Sequence, residues 1–155
     1  MCIRDRIKSG EIADGKTIML LQYLQLHVLK PRSLMVLVAG PYRSGTDDDP
    51  ALLARNVEAM EHCAAQVLAA GHFPVLGEWV ALPMTRLAGS RAVGDEIYNQ
   101  RFHAYAERLL ERCDAVLRIG GPSAGCDAMV EIGQRLGLAL YHRVEQLPVV
   151  PGGTG

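Results

Sequence analysis

The stretch RCDAVLRIGGPSAGCDAMVEIGQRLG, residues 112–137, decides how the rest of the chain is read. Residues 115–119 form a short, mostly apolar run with β-branched Val116 and Ile119, the composition of a buried strand. Gly120, Gly121, Pro122, Ser123 and Gly125 follow as a turn with little side-chain bulk. Met129, Ile132, Gly133 and Leu136 then recur at helical spacing, and Gly137 stands where a C-terminal cap belongs. A strand, a glycine-rich turn and a helix start, in that order, bring backbone N–H groups and a positive dipole end to a ligand, so Ser123 and Gly125 are candidate phosphate contacts. Asp127 and Glu131 lie four residues apart, hence on one helix face, and off the apolar stripe. Chemistry is expected here.

Working outward, LMVLVA at residues 34–39 is a continuous apolar run suited to a central parallel strand. The turn after it holds Gly40, Pro41, Tyr42, Arg43, Ser44, Gly45 and Thr46. Its backbone N–H groups, with Arg43 and Ser44, are candidates to cradle a ribose or 5′-phosphate, and Tyr42 to stack on sugar or base. The plain alternative is a strand–helix connection that needs small residues. Asp49 before Pro50 marks a helix start. Leu53, Val57, Met60, Ala64 and Val67 continue that helix in steps of three and four up to Gly71. Residues 72–76 make a second strand, which Pro74 assigns to a sheet edge. Residues 77–94, with Trp79, Pro83 and Gly89, are expected to form a long loop with one turn of helix near 80–87, a candidate lid. A third long helix is predicted over 95–112, with Phe102, Ala106, Leu109 and Cys113 on one stripe, and a last strand over 138–142.

Strands alternating with helices predict an α/β fold: a flavodoxin-like parallel sheet of four to five strands with helices on both faces. Right-handed crossovers then place every strand-to-helix turn at one sheet edge, so the turns after residues 39 and 119 face one crevice.

The opening is different in kind. MCIRDR resembles the translation of a sequencing-library adaptor, and residues 1–34 are expected to be an extension outside the native domain. Residues 17–29 suit an apolar helix, too short to span a membrane and without a signal-peptide cleavage site. Residues 35–148 then form the domain and 149–155 a frayed tail.

Composition narrows the function. With 49% hydrophobic and 21% charged residues, 155 residues suit one ordinary globular domain. A net charge of −1 without basic runs argues against nucleic acid or an anionic membrane as partner. Cys2, Cys63, Cys113 and Cys126 form no CxxC pair and read as reduced thiols, consistent with a cytoplasmic protein. The histidines, His62, His72, His103 and His142 among them, lack metal spacing, and neither a metal nor an organic cofactor is expected.

Taken together, VLVAGPY at residues 36–42, CDAV at 113–116, the S-x-G-x(5)-E pattern of Ser123, Gly125 and Glu131, and LGLALY at 136–141 resemble the nucleoside 2-deoxyribosyltransferase-like family, in an uncharacterised bacterial branch. The resemblance covers about residues 35–148. It implies cleavage or transfer of the N-glycosidic bond of a nucleoside or nucleoside 5′-monophosphate, through a covalent glycosyl intermediate on the position of Glu131. Asp127, one helical turn earlier, is a second candidate carboxylate read from the residues alone, with ordinary helix capping as its plain alternative. A carboxylate beside an oxocarbenium-like transition state is chemically apt. It also implies a homodimer. One departure stands out: counting eight residues back from Asp114, where such enzymes carry a base-handling aspartate, reaches Ala106. Asp95, His103 and Tyr105 are the substitutes at hand, none in register. The departure keeps open a non-catalytic nucleotide-binding sensor. The GGPSAGCDAMVE segment is also loosely similar to the loop of cytokinin-releasing phosphoribohydrolases, in scrambled order.

Overall fold

The computed structural model describes residues 6, 9–10, 14–24 and 32–150. The chain divides into two compact units, Met1–Arg32 and Ser33–Gly155. In the first, helix α1 runs Gly15–Tyr23 and begins at Asp14, whose carboxylate accepts from the Thr17 amide at 2.8 Å. The adaptor-like residues 1–5, Cys2 among them, the expected helix beyond residue 24 and the last five residues of the tail lie outside the described residues.

The second unit is the α/β domain. Strands β1 (Met35–Ala39), β2 (Phe73–Val75), β3 (Ala115–Arg118) and β4 (Ala139–Tyr141) form one sheet in the order β2-β1-β3-β4, parallel throughout. Successive side chains of β1 point to opposite faces, so each face acquires its own core. Val36 and Val38, with Ala115 and Leu117, pack beneath α2 (Pro50–Ala69) on Met60, Ala64 and Val67. Leu37, Ala39 and Val116 face the other way, against Ala106 and Leu110 of α4 (Glu96–Leu110) and Met129 of α5 (Ala124–Arg135). The sheet therefore has helices on both faces, as a flavodoxin-like fold requires.

The helix starts follow their caps. Asp49 accepts from the amides of Ala51 and Leu52, with Pro50 at the first helical position. Ser123 accepts from the Cys126 amide at the start of α5. Pro74 sits in β2 at the sheet edge, where a missing N–H is tolerated. The aspartate of the CDAV segment ties two strands together: the Met35 amide donates to the Asp114 carboxylate at 2.9 Å, and the Asp114 amide to the Met35 carbonyl at 2.8 Å. Cys63, Cys113 and Cys126 are free thiols, the latter two buried; burial pushes Cys113 up to about 11.

Residues 77–94 differ from the expected loop. Helix α3 occupies Gly77–Leu87 with Pro83 inside it. A proline removes one N–H and clashes with the preceding turn, but here the helix is held from outside. Ala81 and Thr85, at most 2% exposed, are buried, and Ala81 packs with Tyr98 and Phe102 of α4.

His72, 2% exposed, joins two distant parts of the chain. Its Nδ1 accepts from the Leu34 amide at 3.1 Å, which leaves Nε2 to donate to the Pro148 carbonyl at 2.9 Å. His72→Phe is expected to lower stability by about 2 kcal/mol, because two part-buried hydrogen bonds that tie residues 34 and 148 to the buried ring are lost. Urea denaturation checks this. An unshifted midpoint would mean that water replaces both bonds.

Candidate functional site

The sheet order places β2 on one side of β1 and β3 on the other, so a crevice opens beyond the carboxyl ends of β1 and β3. A cavity of about 480 Å³ occupies that place. Leu37, Val38 and Ala39 form its floor, and two turns bound it: Gly40, Tyr42, Arg43, Ser44 and Gly45 after β1, and Ser123, Ala124, Gly125 and Cys126 at the start of α5. The turns touch each other. Gly120 adopts φ 75°, and a Cβ added there would lie 2.6 Å from the Pro41 ring.

The third wall is aromatic and comes from α4. Tyr98 and Phe102 stack with centroids 4.7 Å apart, and Tyr42 lies nearly parallel to Phe102 at 6.2 Å. His103 meets Phe102 edge-on, and both line the cavity with Asn99. Burial raises the Tyr98 and Tyr42 hydroxyls above their ordinary values, with the nearby Glu78 charge adding to both effects. Both stay protonated donors at neutral pH.

Glu78 is the carboxylate that enters this space. It stands in the first turn of α3, directly after β2, and lines the cavity beside Gly77. Burial lifts its carboxyl from 4.5 to about 7, against an opposing backbone hydrogen bond. The neighbouring Ala106 is the position where the family resemblance calls for an aspartate: a Cβ on Gly77 would sit 3.6 Å from that of Ala106.

The residues singled out in the sequence separate into two groups. Gly40, Tyr42, Arg43, Ser44, Ser123, Gly125 and His103 all line the cavity. Pro41 is not among the lining residues and abuts Gly120. Asp95 instead caps α4, accepting from the amides of Arg91, Ala92 and Tyr98 and from the Ser90 hydroxyl. These donors, Tyr98 first, hold its carboxyl down at about 2.

The expectation that Glu131 aims into the crevice is corrected. Glu131 is exposed and lines a shallow depression with Gln134 and Arg135. The cause is helical phase. Cys126 and Met129 face the cavity, and at about 100° per residue Glu131 falls well away from both. Asp127 shares that outward face and accepts from Arg118 at 3.3 Å. Arg118 also donates to the carbonyls of Ile119, Gly120 and Gly121, which pins the glycine turn.

Glu78 escapes a reading of the sequence because an isolated carboxylate among glycine, tryptophan and proline carries no local signature. Its signal is topological. If every strand-to-helix turn lies at one sheet edge, the turn after β2 belongs to the crevice as much as the other two. Among the described residues, no group of three or more His, Cys, Asp and Glu side chains is placed to hold a metal ion, and no helix is long and apolar enough to cross a membrane. Comparison with protein-family models, curated proteins and solved structures returns no match to this chain.

Proposed function

We propose that the cavity binds a nucleoside or nucleoside 5′-monophosphate and that the chain cleaves its N-glycosidic bond, in the cytoplasm and without a cofactor. One observation carries the reading: Glu78, with a carboxyl at about 7, faces a cavity walled by Tyr42, Tyr98 and Phe102 and by two glycine-bearing turns. An aromatic wall suits the flat face of a base, and small turns let backbone approach the sugar. A carboxyl that titrates at about 7 is suited to proton transfer at neutral pH. In the proposed step the C–N bond breaks with its electron pair moving to the base, and Glu78 protonates the departing nitrogen. Water adds to the anomeric carbon and returns a proton to the carboxylate. Glu78 thereby fills the role left vacant by Ala106, and the covalent route through Glu131 is set aside because its carboxylate is outside the cavity.

Incubation with a panel of nucleosides and their 5′-monophosphates, followed by chromatography of the free base, tests the proposal. Release from at least one member is expected. Binding without release across the panel would instead establish the sensor reading, which Met129 favours, since α5 presents a thioether to the cavity and no carboxylate. Two copies are proposed to pair. The exposed Val80, Met84 and Leu87 follow one face of α3, and sedimentation at micromolar concentration showing only 16.8 kDa would end that part.

A further inference from the structure

The arginine at the mouth of the cavity is already engaged. Arg43 donates through Nε and Nη2 to the two carboxylate oxygens of Asp48, both at 2.7 Å. Its guanidinium lies 5.6 Å from the Tyr98 ring centre. Gly94 closes another side, since a Cβ there would lie 2.5 Å from Nη2. A bidentate carboxylate is a strong partner for a guanidinium, and it occupies the Nε–Nη2 edge, one of the two that a phosphate could use.

The loop is shaped to deliver that carboxylate. Asp47 and Asp48 adopt φ 49° and 59°, left-handed backbone that side-chain-bearing residues seldom take. Thr46, 3% exposed, holds the loop from inside: its hydroxyl donates to the Arg43 carbonyl at 2.8 Å and accepts from the Asp48 amide at 3.2 Å. Such strain persists where the surrounding structure imposes it.

Charge around the cavity points the same way. Its lining includes Asp47, Asp48 and Glu78 against Arg43 and His103. Arg118, the cation at the α5 end, is committed to Asp127 and to the turn carbonyls. A phosphate dianion entering here meets an arginine already paired with Asp48 and the carboxylate of Asp47 beside it.

Resting on the nucleoside-binding reading above, we infer that Asp48 is a specificity-determining residue: by holding Arg43 in a bidentate pair it sets the cavity for an uncharged nucleoside and against the 5′-monophosphate. Asp48→Asn removes the charge while keeping the shape, and asparagine tolerates the left-handed backbone. Asp48→Gly relieves the backbone as well and guards against a folding artefact.

Calorimetric titration with nucleosides and the matching 5′-monophosphates, on wild type and both variants, tests this. Wild type is expected to prefer the nucleoside. Both variants are expected to gain about tenfold or more in monophosphate affinity relative to nucleoside, a gain that shrinks as salt rises. Equal or tighter binding of the monophosphate by wild type overturns the inference, as does an unchanged ratio in the variants; either leaves the cavity reading intact. No binding of any member by any form overturns both.

Discussion

Glu78→Gln is expected to slow base release by about 10²- to 10⁴-fold, the usual worth of a positioned proton-transfer group. Gln keeps the size and polarity of the side chain, so ground-state binding is expected to survive and the loss to appear in kcat. The wild-type rate is expected to carry the same signature: with a donor titrating at about 7, kcat/KM should fall about tenfold per pH unit above that point. Stability follows from the same shift. The carboxyl sits at 4.5 when unconstrained and about 7 when folded, so the unfolded chain binds fewer protons between those values. Folding stability is therefore lost as pH rises through that window. At pH 8 the Gln variant is expected to be more stable than wild type, on the order of 2 kcal/mol, and at pH 4 to match it. Glu131→Gln, by contrast, should leave rate and stability near wild type. A Glu78→Gln enzyme with undiminished turnover, or a Glu131→Gln enzyme without it, would reverse the assignment.

The second large effect is expected at Gly120. The residue has φ 75° and abuts Pro41, with an added Cβ only 2.6 Å from the ring. Alanine there meets both an unfavourable left-handed backbone and a rigid ring, together costing about 2–4 kcal/mol. Because Gly120 and Pro41 belong to the turns on either side of the crevice, relief of the clash separates them, and ligand affinity should fall with stability. Gly121→Ala is the control: a Cβ at Gly121 meets nothing within 4 Å, so it should be nearly neutral. Thermal denaturation of both variants, with and without the best ligand of the panel, distinguishes these outcomes.

Much of the frame is readable because its signals are local. The apolar run of β1, the Asp49–Pro50 helix start, the Ser123 cap and Pro74 at an edge each depend on a few neighbouring residues. Of the site, the turns after β1 and β3 are legible because each strings several small residues together, whereas β2 is followed by the single glycine Gly77. Helix α3 is hidden because Gly77 and Pro83 are breakers by local rule, whereas Ala81 is held by packing on Tyr98 and Phe102 of the following helix. Glu131 misleads for a different reason. A four-residue spacing says that Asp127 and Glu131 share a face, but it does not say where that face points. Only the docking of α5 through Cys126, Met129 and Gly133 settles this. Gly133 shows how closely it docks: a Cβ there would lie 2.8 Å from the Val116 side chain. Asp48 is equally hidden, since three successive aspartates read as a helix start, not as a partner for Arg43.

The order of strands also has a consequence for how the molecule comes into being. β1 joins β3 through contacts such as Met35 to Asp114, 79 residues apart, whereas the β1–β2 pairing closes a much shorter loop. Parallel pairing across long separations is slow, because loop entropy is lost before the contacts form. A chain emerging from synthesis can therefore complete β1, α2 and β2 as a unit long before β3 exists. The crevice, which needs the ends of both β1 and β3, has no precursor in that unit. Ligand binding thus becomes possible only once β3 and the start of α5 have joined β1, and any ligand of the crevice would stabilise the completed domain without engaging an earlier form.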